Sequence, residues 1–483
     1  MRRYLILALF LLLPLAAGAV VVQRLQFGGT EATSFTSSQL IRMNAGGTAL
    51  QSNGLTAPQA GDKGADGVTS ATAPMVLGAS PFPARTVACP SCEYSKTPTT
   101  SSTSGIIGGT YSSASTVARP FFSNTSTGSP IEAHLPAAVG GYIMNLTVTT
   151  AVSNNQKMLA TTVRGDFFEE TYGGTNLNQP SVAIYPNSPK GVYVDSTRFA
   201  RVNQGGAGPI VNTWAMHGSV STPVGWAAEF ISDDASPSTI IGSGSRGTIA
   251  TGLTSYSTPF VVYGTGQFIT TDRAAAFASG TVDRLCVTTD TTQSATGNIV
   301  LTFMVAADTT ISVTIDASAL AGTYCDTTHS AAVTAGDIWA LRGVNAATTT
   351  SAGVTGWSVR FTPTSGSAGG MGGSFDATLV GTQYWGAYDN VSDSNGSVAL
   401  GMPRAGTTTR LCVYNSGATV SGTTVTVMKN EVASSLVLTM ATGGAAGVQC
   451  ATGSVSFAKG DRVSIKTVYV SGNSNFSTWS IDY

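Results

Sequence analysis

The chain has 483 residues, a formal net charge of −1 and only 10% charged residues, against roughly 25% in ordinary soluble proteins. No basic cluster interrupts this balance, which excludes the concentrated Lys and Arg that a nucleic-acid partner requires. With 42% apolar residues the chain can build several cores, and hydroxyls and amides must wet the surface in place of charges.

The first 22 residues carry Arg2-Arg3, an apolar run from Leu5 to Leu15 and then Ala17-Gly18-Ala19. That is the outline of a secretory signal cleaved after Ala19. Residues 4–22, apolar throughout, are also about long enough to cross a membrane as a retained anchor helix. Residues 23–106 form a Gly/Ser/Thr-rich linker region. Its Gly61 to Gly67 run spaces glycines by three, too briefly for a collagen helix. Cys89 and Cys92 make a single CxxC with no second half for a zinc site, so a local disulfide or an inert pair is expected.

Beyond residue 106 the chain repeats itself. Arg284 to Val287 and Arg410 to Val413 both read RLCV, 126 residues apart. Each is followed by a second cysteine (Cys325, Cys450), then a Gly-Asp pair (Gly336-Asp337, Gly460-Asp461), then a tryptophan (Trp357, Trp479). An earlier copy is placed at GYIMNLTV, residues 141–148, and NTWAM, residues 212–216, with Trp214 as its tryptophan. A fixed offset of this kind marks tandem copies. Within each copy apolar residues alternate with Thr and Ser, as in TTVTVMKN (Thr423 to Asn430) and TISVTID (Thr310 to Asp316). Period two with Val, Ile and Thr, broken by Gly, Asn and Asp, predicts half-buried strands. The expectation is an all-β chain of three tandem antiparallel β-sandwich or jelly-roll domains, at 107–220, 241–364 and 374–483. Residues 221–240 and 365–373 are expected linkers.

The cysteines follow the copies. Where the later copies have the first and second cysteine, the first copy is aligned with Met144 and Ala183. Presence or absence as a pair predicts the disulfides Cys286–Cys325 and Cys412–Cys450; the alternative is four buried free thiols.

Residues that could do chemistry are sparse. His134, His217 and His329 stand apart, and each reads as a surface or turn histidine. Gly242 to Gly247 matches GxGxxG but is followed by a Thr-rich run ending in Pro, not by a helix, and is read as a linker. Asp389 to Gly396 resembles part of a calcium loop without the closing glutamate, hence a polar turn. Glu169-Glu170 and Asp233-Asp234 are adjacent, so their side chains diverge in a strand. Sequons at Asn124, Asn145, Asn390, Asn395 and Asn475 matter only in a glycosylating host. No catalytic constellation, metal site or cofactor is expected.

The third copy, RLCVYNSG, TTVTVMKNEV, LVLTM, FAKGDRVSIK and STWSIDY in order, resembles the jelly-roll modules, broadly of the TNF/C1q type, of phage tail fibres and other virion-surface proteins. The second copy resembles them less and the first least. The resemblance implies a trimer-forming, non-enzymatic module on a virion surface that binds a host-surface glycan or protein and contacts other virion proteins. The signal-like start departs from tail fibres and points to a membrane-associated virion. A secreted bacterial adhesin or filament subunit is the alternative.

Overall fold

A computed structural model describes residues 25–27, 30–32, 39–43 and 50–56, and 104–483 apart from 112–116, 121–134, 151–157, 165–179, 185–187, 203–210, 218–223, 244–246, 250, 261–272, 290–291, 294–295, 347–352, 367–368, 376–380, 388–389, 393–398, 418–421 and 470–476. The apolar start, Cys89 and Cys92, His134, Asn124, Asn395 and Asn475 and the Glu169-Glu170 pair lie outside the described residues. Every regular element described is a strand. Residues Met1–Pro98 form one unit, in which β1 (Leu25–Phe27) pairs with β2 (Thr30–Ala32) and β3 (Gln39–Met43) with β4 (Leu50–Thr56). The other unit is Thr99–Tyr483.

The second unit contains three pairs of sheets. The first sandwich runs β5 (Gly105–Tyr111), β6 (Val117–Pro120), β7 (Gly141–Thr150), β8 (Met158–Arg164), β9 (Ser181–Ile184), β10 (Gly191–Val202), β11 (Val211–His217) and β12 (Val224–Ser232). Its sheets are ordered β10-β7-β12-β5 and β6-β11-β8-β9. The second sandwich comprises β13 (Thr239–Ser243), β14 (Gly247–Thr248), β15 (Thr254–Ser257), β16 (Ala274–Ala275), β17 (Gly280–Thr289), β18 (Ile299–Val305), β19 (Ala307–Ile315), β20 (Gly322–Val333), β21 (Ile338–Asn345) and β22 (Gly353–Pro363). The third comprises β23 (Gly370–Phe375), β24 (Gly381–Gly386), β25 (Asn390–Ser392), β26 (Leu400–Gly401), β27 (Gly406–Asn415), β28 (Thr423–Lys429), β29 (Val432–Met440), β30 (Gly447–Phe457), β31 (Arg462–Tyr469) and β32 (Ser477–Asp482). Sheets β13-β22-β17-β20 and β15-β21-β18-β19, then β23-β32-β27-β30 and β24-β31-β28-β29, repeat the order of the first pair. Eight principal strands in two such sheets, each strand followed in sequence by one in the other sheet except at the central hairpin, make a jelly roll.

Several sequence boundaries move. Residues 221–240, expected as a linker, contain β12, the closing strand of the first sandwich, and the start of β13. Residues 365–373, also expected as a linker, run into β23. The GxGxxG stretch supplies parts of β13 and β14, which both pair with β22. Residues 242–247 and 365–373 are glycine-rich and carry few side chains to show a period, while 221–240 mixes Ser, Asp and Pro with its strand residues; in each case the hydrogen-bonded partner strand supplies the order.

The cores follow the alternation. Leu146, Val148, Trp226 and Phe230 are buried in the first sandwich, Val287, Leu301, Trp339 and Trp357 in the second, and Val413, Val427, Ile465 and Trp479 in the third. Phe277 packs edge-on to Trp339 at 5.5 Å and to Phe361 at 5.3 Å, the arrangement favoured by ring quadrupoles. Buried residues of all three sandwiches form one continuous apolar cluster, not three separate cores.

Candidate functional site

The residues repeated along the chain meet at the contacts between sandwiches. Cys286 faces Cys325 across β17 and β20, and Cys412 faces Cys450 across β27 and β30. Both pairs are bonded, closing 39 and 38 residues. Their Cα atoms are 4.1 Å apart, below the usual 4.4–6.8 Å, because the partners sit directly opposite on adjacent antiparallel strands, where Cα spacing is at its shortest. In each bond one cysteine is buried (Cys286, Cys412) and the other exposed.

The tryptophans are placed by register. Trp357 pairs with Val287 and Trp479 with Val413. The residue with this pairing in the first sandwich is Trp226, opposite Val148. Trp214, chosen from the sequence, lies on β11 in the other sheet, between β6 and β8. The same register corrects the cysteine positions. Next to Val148, Thr147 faces Val194 on β10, as Cys286 faces Cys325. Met144 instead faces Phe199, and Ala183 lies in the opposite sheet against Leu159. The signal was present in the sequence: VGWAAEF around Trp226 resembles TGWSVRF and STWSIDY more closely than NTWAM does.

Each Gly-Asp pair clamps a short segment that precedes the cysteine-bearing strand of its own sandwich. Asp337 accepts the Thr334 amide at 2.7 Å, and Asp461 accepts that of Ala458 at 2.7 Å. This closes a tight turn whose glycines, Gly336 and Gly460, take φ of +92° and +86°, a conformation nearly free only for glycine. The turns then bond in both directions to Ala276 and to Met402: Gly336 N to Ala276 O and Ala276 N to Asp337 O, Gly460 N to Met402 O and Met402 N to Asp461 O. Burial tends to raise the Asp461 carboxyl, but hydrogen bonds from Asn430, Ala458 and Lys429 outweigh it and hold the group below its ordinary range.

The clamped segments reach the next sandwich. Residues 273–275 lie against β32 of the third, where Ser480 Oγ donates to Ala275 O at 2.7 Å and Thr478 Oγ1 to Arg273 O at 2.8 Å. Ala275 there forms a small apolar cluster with Cys412 and Tyr414, flanked by Ile338 and Val448. Residues 399–404 lie against the first sandwich, where Thr147 Oγ1 donates to Gly401 O at 2.7 Å. Beside them Glu229, fully buried, accepts Ser104 Oγ and Asn145 Nδ2, each at 2.5 Å. Lys459 Nζ donates to Asn145 Oδ1 at 2.7 Å; burial lowers its affinity for the proton, opposed by the charges of Glu229 and Asp195. Arg404 donates to the carbonyls of Ser104 at 2.9 Å and Tyr483 at 3.2 Å, and stacks over the Tyr483 ring. The Asn145 sequon is therefore spent in this buried network.

Among the described residues, no three His, Cys, Asp or Glu side chains stand close enough to hold a metal ion, and no helix is long and apolar enough to cross a membrane. His329, half exposed, bonds Asp326 through Nδ1 at 2.9 Å, and Asp326 also accepts the Ser312 and Thr328 amides.

No family model matches the chain, and no curated protein matches it in sequence. Among solved structures it is similar to an archaeal virus protein described by its triple jelly roll fold and turret assembly, at 12% identity and a TM-score of 0.17, over 71% of this chain and 78% of that one. It is also similar to the VP2 subviral particle of infectious bursal disease virus, at 9% identity and a TM-score of 0.17, over 79% and 76%. With overlap this slight, the jelly-roll assignment rests on the strand order.

Proposed function

We propose that the chain is a non-enzymatic structural protein of a virus particle, exposed at the surface and serving attachment to a host-surface glycan or protein. The observation that carries this reading is what its repeated residues do. The bonded cysteines, the Gly-Asp turns and the core tryptophans Trp226, Trp357 and Trp479 all hold sandwiches or join one to the next. A chain whose repeated residues serve packing in this way suits a rigid scaffold that presents loops. The weakly charged surface and the resemblance of the third copy to virion-surface jelly rolls support the same reading. Disulfides fit assembly or exposure in an oxidising compartment.

The test is quantitative mass spectrometry of purified particles, with antibody labelling of intact ones. The chain should co-purify at fixed stoichiometry and be labelled without disruption of the particle. Recovery only from particle-free secreted or cell-surface fractions would reject the virion and favour the adhesin.

A further inference from the structure

The three contacts between sandwiches are one contact used three times. Pro136, Ala275 and Gly401 each lie eleven residues before the strand position held by Thr147, Cys286 and Cys412. The carbonyl of each accepts one hydroxyl from another sandwich: Ser358 donates to Pro136, Ser480 to Ala275 and Thr147 to Gly401. Ser358 and Ser480 directly follow the register tryptophans Trp357 and Trp479. The first sandwich has Ala227 at that place, which has no hydroxyl, and the donor has moved one strand over to Thr147, in the position of the missing cysteine. The direction of docking is constant. The first sandwich reaches the second, the second the third, and the third the first.

A contact between unlike surfaces propagates as an open filament or closes as a ring. Here the third step returns to the start. We propose that residues 104–483 form a closed ring in which the sandwiches stand to one another as subunits of a trimer, so that one chain supplies what a homotrimer would otherwise assemble. The receiving surface is the outer face of the sheet containing the cysteine- or Thr147-bearing strand, and its partner is the clamped segment of the next sandwich in the same chain.

The three seams differ in how they are held. The first and second sandwiches are joined by residues 233–238 and the second and third by 364–369, so those docking contacts are between immediate neighbours in sequence. The third-to-first seam joins the two ends of the array and is closed by non-covalent contacts alone. Tethering makes closure effectively intramolecular, at millimolar effective concentration for short connections, which favours the ring over association between chains. Burial at this seam is correspondingly complete: every residue of β7 but Tyr142 is buried, because its second face is covered by 399–404 as its first is by the core. A side chain added at Gly401 would meet Val192 Cγ1 at 2.6 Å and Thr149 Oγ1 at 2.8 Å, both across the seam.

The proposal stands apart from the virion reading and is tested on the full chain. Light scattering at micromolar concentration should give the mass of one chain, and Gly401→Leu should part the seam. The radius of gyration from X-ray scattering should then rise, and proteases should cut within 233–238 or 364–369, with both disulfides still formed. As a second variant that keeps side-chain volume, Thr147→Val should speed hydrogen exchange in 399–402 at least tenfold while leaving β28 and β31 unchanged. A stable homotrimer of the unmodified chain would overturn the proposal. So would unchanged scattering of a folded Gly401→Leu protein, or, should that variant not fold, unchanged exchange in Thr147→Val.

Discussion

Introducing cysteine at both Thr147 and Val194 should give the first sandwich the bond that its neighbours have. The two residues face one another in the register of the bonded pairs, and the new link would close 47 residues, slightly more than the native 39 and 38. For a loop of that length the chain-entropy model gives about 4 kcal/mol. Against this stands the Thr147 hydroxyl, which donates to Gly401 O and Ala227 O; losing it costs about 1 kcal/mol. The oxidised double variant should therefore gain about 3 kcal/mol in urea unfolding, and the reduced one should lose about 1 kcal/mol. Mass spectrometry of unreduced peptides reads the bond directly. The control is Met144→Cys with Ala183→Cys, the pair the sequence alignment would choose. Those positions face Phe199 and Leu159 in different sheets, so no bond should form. A bond in the control, or none between positions 147 and 194, would refute the register.

Trp226→Ala should cost about 3–5 kcal/mol, the range for truncating a fully packed indole, and the same holds at Trp357 and Trp479. Because the apolar cluster runs through all three sandwiches, each substitution should shift a shared unfolding transition; a loss below about 1 kcal/mol at Trp226 by urea titration would remove it from the core series. The Asp326 carboxyl is held down to about 2: burial opposes ionisation, but hydrogen bonds from the Thr328 and Ser312 amides and from the His329 and Thr328 side chains prevail. A group depressed on folding stabilises above its unfolded value near 3.9 and ceases to as pH falls through the folded one. Asp326 should thus contribute about 2 kcal/mol at neutral pH that is lost between about pH 4 and pH 2. Asp326→Asn should flatten stability over that window; an unchanged acid limb would show that the carboxyl is not held as described.

Much of this protein is legible from residue order. Strand character follows from alternation, because a pleated strand sends successive side chains to opposite faces. The cysteine pairs were recoverable because a bond requires both partners, so they appear and vanish together. The Gly-Asp turns showed as a motif, since a positive φ restricts the residue that can stand there. Elsewhere the side chains carry too little pattern to mark a strand. Glycine-rich β23 and the Ser-, Asp- and Pro-containing stretch around β12 read as linkers, and the first copy, with neither cysteine, aligns on Trp214 where Trp226 is the matching residue.

The docking segments mark the limit of the sequence. LPAAVG (Leu135 to Gly140), RAAAFASG (Arg273 to Gly280) and ALGMPRAG (Ala399 to Gly406) share little but small residues, because their carbonyls accept the hydrogen bonds and almost any residue offers the same oxygen. Nor does the sequence relate Ser358 and Ser480 to Thr147, which lies on a different strand and meets its acceptor only when the third sandwich lies against the first. Residue order alone determined that the chain is built of strands, in copies, with paired cysteines. Tertiary structure alone decided how one copy meets the next, since backbone contacts between distant segments leave no periodicity to read.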